Sequence, residues 1–210
     1  MRSVYRHASS GLLSLILWGN SSGLVQAKST AVPYVINTSH SRVSFEIAHL
    51  VISTVEGSFK TFSGTFDYDV ATNTLGKSEI VIQVDSIDTN EPKRDAHLKG
   101  ADFFNTAKFP TMSFTSTSLE VKDGKPAMLH GMLQMHGVSK PVDLRVDFKG
   151  YVQDPGGPNK IMAFHLEGTL NRKDFGLVYN KVLEAGGIAI GEEVTIKIRV
   201  EAAPKEAPKK

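Results

Sequence analysis

Apolar and polar residues alternate with a period of two in eight separate stretches of this chain, and almost nothing in it has a helical period. Val142, Leu144, Val146 and Phe148 interleave with Asp143, Arg145, Asp147 and Lys149. Near the C-terminus Val194, Ile196, Ile198 and Val200 interleave with Glu193, Thr195, Lys197 and Arg199. Successive strand side chains point to opposite faces, so each stretch has one apolar face and one wet one. A sheet of such strands must cover its apolar face. The chain offers no set of amphipathic helices for that task, so the pattern predicts an all-β fold whose sheet closes on itself as a barrel. The interior of such a barrel is either a packed core or a container for an apolar ligand.

The length, 210 residues, suits one domain. Residues 1–27 read as a cleavable signal peptide: Arg2 and Arg6 form a positive start, Gly11 to Trp18 a short apolar run, and Val25-Gln26-Ala27 a small-residue cleavage site. The apolar run is far shorter than the ~20 residues that span a bilayer. With no cysteine, disulfides, thiolate metal sites and a lipid-modified cysteine are excluded. The expected mature protein is therefore exported and soluble. Lys and Arg total 24 against 22 Asp and Glu, but Arg2, Arg6 and the terminal lysines carry the excess, so no nucleic-acid footprint is present. The end, 203–210, is a Lys/Pro/Ala tail expected to be disordered.

Along the chain, a short edge segment at 34–37 should precede a strand at 42–49, with Val43, Phe45, Ile47 and, at its end, His49 on one face. Residues 50–57 read as a connection. A strand at 58–68 would align Phe62, Gly64, Phe66 and Tyr68, and one at 77–85 would align Ile80, Ile82 and Val84. One helix is expected around 91–100, capped by Asn90 and ended by Gly100, as a lid across one barrel end. Strands follow at 111–121, with Met112 and Phe114 on one face, and at 127–135, where Met128 and Met132 compete with Leu129, Leu133 and Met135 for the inside. A turn at 137–141 leads to a strand at 142–152. A strand bearing Met162, Phe164 and Leu166 comes next, then a Gly-rich loop from 171 to 191 and the last strand.

Several segments are familiar in combination. His40-Ser41 with Phe45 and His49, Gly57-Ser58-Phe59 and Phe62-Ser63-Gly64-Thr65-Phe66 resemble the opening of the YceI-like family. Asp85-Ser86-Ile87-Asp88-Thr89, Arg94-Asp95-Ala96-His97-Leu98, Asp102-Phe103-Phe104, Phe109-Pro110 and Phe114-Thr115-Ser116 are similar to its most distinctive block. His136-Gly137-Val138, Lys140-Pro141-Val142, Asn171-Arg172 and Asp174-Phe175-Gly176 continue the match in order, over about residues 33–202. Asn37, where the family often has Asp, and Gln134, where it often has Thr, are departures that leave every apolar wall residue in place. The resemblance implies a lipocalin-like antiparallel barrel of about eight strands, exported to the periplasm. Its elongated apolar pore would hold a polyisoprenoid lipid, quinone-like or otherwise long-chain and amphiphilic.

Under that reading the ligand wall comprises Phe45, Ile47, Phe62, Phe66, Ile82, Val84, Phe114, Leu133, Leu144, Val146, Phe148 and Phe164, with His49 at a rim to meet a polar head. The same residues would serve plain barrel packing equally well. Arg94 and Asp95 form either a pair that fixes the lid or polar lining of the pore mouth. No two histidines stand at i, i+4 and there is no HExxH, so no metal site is read; no cofactor is expected beyond the lipid itself. Neither a nucleophile elbow nor a P-loop nor a Gly-rich dinucleotide fingerprint occurs, which speaks against an enzyme. The alternatives are a structural or stress-related partner-binding barrel and an enzyme acting on an isoprenoid. Transient contact with a membrane surface or a membrane redox protein, and a homodimer, are compatible with all of these.

Overall fold

Each of the first three walls of the molecule breaks once, and the break changes which residues face inward. The computed structural model describes residues 31–50, 52–155, 160–181 and 189–205. The expected signal peptide and the end of the tail lie outside the described residues. Strands β1 (Val32–Ile36) and β2 (Arg42–His49) form one stave, split by a turn; β3 (Ser53–Phe59) and β4 (Phe62–Asp69) form the next. The third is β5 (Thr74–Gln83) and β6 (Ile87–Asp88), separated by a 3-10 turn at Val84–Ser86. Five unbroken staves follow: β7 (Thr111–Lys122), β8 (Lys125–Met135), β9 (Val138–Gln153), β10 (Lys160–Asn171) and β11 (Ile190–Pro204). Each pairs antiparallel with the one before it, and β11 returns to both β1 and β2, so the eight staves close a ring. A closed ring leaves no long unpaired edge.

Tight turns hold the later staves in register. Asp123 and Gly124 (φ 52° and 71°) join β7 to β8, and His136 and Gly137 (φ 53° and 78°) join β8 to β9. Two successive positive φ values make the two-residue hairpin whose twist matches that of its strands. This shortens the turn expected at 137–141, and Pro141 lies inside β9 opposite Met132.

The structure revises several other expectations. The segment at 34–37 is no edge: β1 pairs with β4 on one side and β11 on the other, and closes the barrel. The stretch read as a connection at 50–57 is mostly β3, and the strand expected at 58–68 divides at Lys60 and Thr61. On β8, Leu133 and Met135 are buried while Met132 is exposed, which settles the inner face. β11 runs to Pro204, so Ala203 and Pro204, expected in the tail, pair with β1.

Helix α1 (Pro92–Lys99) lies where the chain crosses from β6 to β7. Its N-cap is Glu91, not Asn90: the Glu91 carboxylate accepts from the Lys93 and Arg94 N–H groups, while Asn90 has φ 60°. A left-handed residue cannot hold the extended geometry that an N-cap requires. Two apolar clusters line the barrel. One gathers Val43, Phe59, Ile82, Met112, Leu133 and Leu144 beneath Leu98 and Phe104; the other gathers Tyr34, Tyr68, Val146, Met162, Phe164 and Ala202.

Candidate functional site

The barrel's own side chains do not fill it. A cavity of ≈ 640 Å³ runs inside, lined by residues of both clusters. A volume of that size lies within the range of small-molecule sites. The inward rings Phe45, Phe62, Phe66 and Phe114 are only half-buried because they face this space.

Glycine makes room for two of those rings. Phe45 lies across Gly57 of the neighbouring strand, where a Cβ would meet the ring at 2.4 Å; Phe114 lies across Gly131, where a Cβ would meet it at 2.2 Å. The rings thus lie along the wall instead of plugging the centre.

Of the expected wall residues, Phe45 and Ile47 on β2, Phe62 and Phe66 on β4, and Ile82 on β5 line the cavity. So do Phe114, Leu133, Leu144, Val146 and Phe164. Val84 and Phe148 do not. Val84 is buried in the 3-10 turn that ends β5, where alternation stops. Phe148 precedes a register shift between β9 and β10 and is taken up by Phe164 (centroids 5.2 Å apart) and Tyr151.

Polar groups concentrate at one end. His49, Lys93, Arg94, His97, Tyr179 and Lys181 line the mouth, and among the described lining residues there is no Asp or Glu. His49 is half-buried, and its ring makes no hydrogen bond to the described residues. Arg94 and Asp95 do not pair with each other. Both hold the buried Thr89: Arg94 Nε donates to Thr89 Oγ1 and its Nη2 to the Thr89 carbonyl, each at 2.8 Å. Asp95 accepts from the Thr89 N–H at 3.0 Å and from its hydroxyl at 2.5 Å. Arg94 faces the cavity, whereas Asp95 does not. At the other end Tyr68 is buried and donates to Asn73 at 2.7 Å. Burial, then Tyr34 and Asp69, pushes its phenol up to about 12.

Sequence reasoning missed Arg172. It is 3 % exposed, its Nε donates to the Gly191 carbonyl at 2.8 Å, and its Nη1 donates to the Leu177 carbonyl. Burial lowers its pKa. With backbone carbonyls as its partners, Arg172 binds the segment after β10 to the start of β11 and so shapes the mouth. The Asn171-Arg172 pair was visible, but nothing local marks an arginine as buried.

The YceI-like domain profile matches residues 34–202, all but the outer ends of β1 and β11. The chain belongs to the YceI-like family. "Protein YceI" of Escherichia coli O157:H7 is 44% identical over 138 residues, covering 66% of this chain and 71% of that protein. The crystal structure of the Campylobacter jejuni YCEI protein superposes with a TM-score of 0.66 at 30% identity, over 77% of this chain and 91% of that one. A structure described as a polyisoprenoid binding domain from Saccharophagus degradans shares the fold (TM-score 0.59, 14% identity, 83% and 99% covered). Within this YceI-like barrel, Asn37 donates from Nδ2 to Glu201 at 3.0 Å, which ties the β1–β2 turn to β11.

Proposed function

We propose that this YceI-like protein is a periplasmic lipid-binding protein that holds one long isoprenoid-type chain, a quinone or its precursor or another long-chain amphiphile. The observation that carries the reading is the ≈ 640 Å³ cavity with apolar walls and a polar mouth at one end. A lipid tail gains ~0.8 kcal/mol for each buried CH₂, less ordering costs. Polar groups at the mouth orient the head. Binding rather than catalysis fits the state of the lining groups: Ser78 is bonded to Ser116, Arg94 to Thr89 and Arg172 to backbone carbonyls. The polyisoprenoid-binding description of the Saccharophagus protein agrees with this reading, and Arg2, Arg6 and the apolar run behind them support export.

A chain-length series tests the proposal. Quinones carrying one to eight isoprene units should bind with affinity that climbs with each added unit and then levels off when the cavity is full. Affinity independent of tail length would reject it. Export is checked separately, by N-terminal sequencing of periplasmic protein, which should begin at Lys28.

A further inference from the structure

The mouth of the cavity carries apolar side chains on its outside as well as its inside. The β2–β3 hairpin tip places Ile52 89 % exposed and Leu50 39 % exposed, immediately beyond His49, which lines the cavity. Val178 is 63 % exposed between Leu177 and Tyr179, both of which face the cavity. The tip and the neighbouring segment are joined: the Leu50 N–H donates to the Ala189 carbonyl, and the Ala189 N–H to the Lys181 carbonyl. Leu50 also has φ 53°, a left-handed conformation that Asn or Gly would adopt with less strain. The tip therefore holds a large apolar residue where folding alone favours a small polar one. Lys93 and Lys181 are exposed on the same mouth, and neither pairs with a carboxylate among the described residues. Near Lys93 in sequence, Glu91 accepts from the Lys93 and Arg94 N–H groups and Asp95 accepts from Thr89, while Glu192 pairs with Lys173.

From this geometry we infer that the mouth docks on the surface of an anionic bilayer: Leu50, Ile52 and Val178 insert among the acyl chains while Lys93 and Lys181 meet the head groups. Apolar tips flanked by cations are the makings of an interfacial anchor. Docked this way, the cavity opens onto the membrane, and a lipid passes between bilayer and barrel without crossing water. The inference rests on the lipid-binding reading for its purpose but not for its test.

The test is sedimentation of the full mature chain with vesicles of phosphatidylcholine, with and without phosphatidylglycerol. The protein should sediment with the anionic vesicles and be released by high salt. Replacing both lysines (Lys93→Gln with Lys181→Gln) should weaken vesicle binding roughly 25-fold, about fivefold for each charge. The pair Ile52→Asp and Val178→Asp, neither residue lining the cavity, should abolish sedimentation yet still bind a prenyl quinone offered in solution. Met132→Asp, on the barrel wall, should sediment as the parent does. Parent protein that ignores vesicles, or an Ile52→Asp/Val178→Asp variant that sediments normally, overturns the inference. So does a change from dimer to monomer in that variant, which would mean that the tips cover a second copy. Vesicle binding with no uptake of any prenyl chain would instead reject the lipid-binding reading and leave docking standing.

Discussion

His49 shows how much a single side chain contributes to the site and how far alternation can place it. Counting in twos from Val43 puts it inside at a strand end, and there it lines the mouth with no hydrogen bond to the described residues. His49→Phe keeps the bulk and removes both ring nitrogens. Affinity for a lipid with a polar head should fall by ~1 kcal/mol, the usual net worth of one hydrogen bond, while a headless hydrocarbon of equal length binds unchanged. Equal losses for both ligands would make His49 a packing residue. Deeper in the wall, Phe62→Asp should abolish lipid binding and destabilise the barrel, whereas Phe62→Leu weakens binding with less effect on folding; titration with a prenyl quinone beside thermal melts separates the two. Val84 and Phe148 escaped the same counting because a 3-10 turn and a register shift interrupt it locally. On the outer surface, His130 bonds Asp143 at 2.7 Å and Glu120 at 3.0 Å, and these two carboxylates raise its pKa. A raised folded value means that the bridge stabilises fully below the unfolded value of the imidazole and is lost as pH rises through the folded one. His130→Gln should therefore lower the melting temperature at pH ~5.5 more than at pH ~8.5, on either side of the histidine range. A loss that is equal at both values would contradict this sign.

Among the elements, the long staves β7 to β11 could be read over most of their length, because alternation runs far along each before a register shift such as the one beside Phe148 interrupts it. The broken staves could not, and the reason lies in parity. Tyr34 and Ile36 face inward on β1, but Val43 and Phe45 on β2; Phe59 faces inward on β3, but Phe62 and Phe66 on β4. Each break moves the inward set from even to odd numbers or back, a slip that a single strand drawn from 58 to 68 conceals. Helix α1 was found from its Pro and Gly, yet what holds it was not. Its anchor is Thr89, buried and shared by Arg94 and Asp95. Thr89→Val removes the hydroxyl from both partners and should cost about 1–3 kcal/mol. Amide exchange in 92–99 should quicken, and bound lipid should leave faster, with the far end of the barrel unaffected. Uniform exchange throughout the barrel would show that Thr89 supports the whole fold.

On the scale of the molecule, alternation predicted a closed sheet but left open whether its interior was packed or hollow. That choice depends on the sum of many side-chain volumes around a ring, and on glycines such as Gly57 and Gly131 that let rings lie flat across a neighbouring strand. No single segment carries that sum. The hollow interior is the central feature of the account, and native mass spectrometry of gently purified mature protein, followed by extraction and fragmentation of whatever it releases, tests it most directly. The account predicts a one-to-one complex with a long-chain lipid whose fragments show an isoprenoid or comparable tail, lost in Phe62→Asp. Protein that carries no lipid from its own cell, and takes up none when incubated with prenyl quinones, would contradict it.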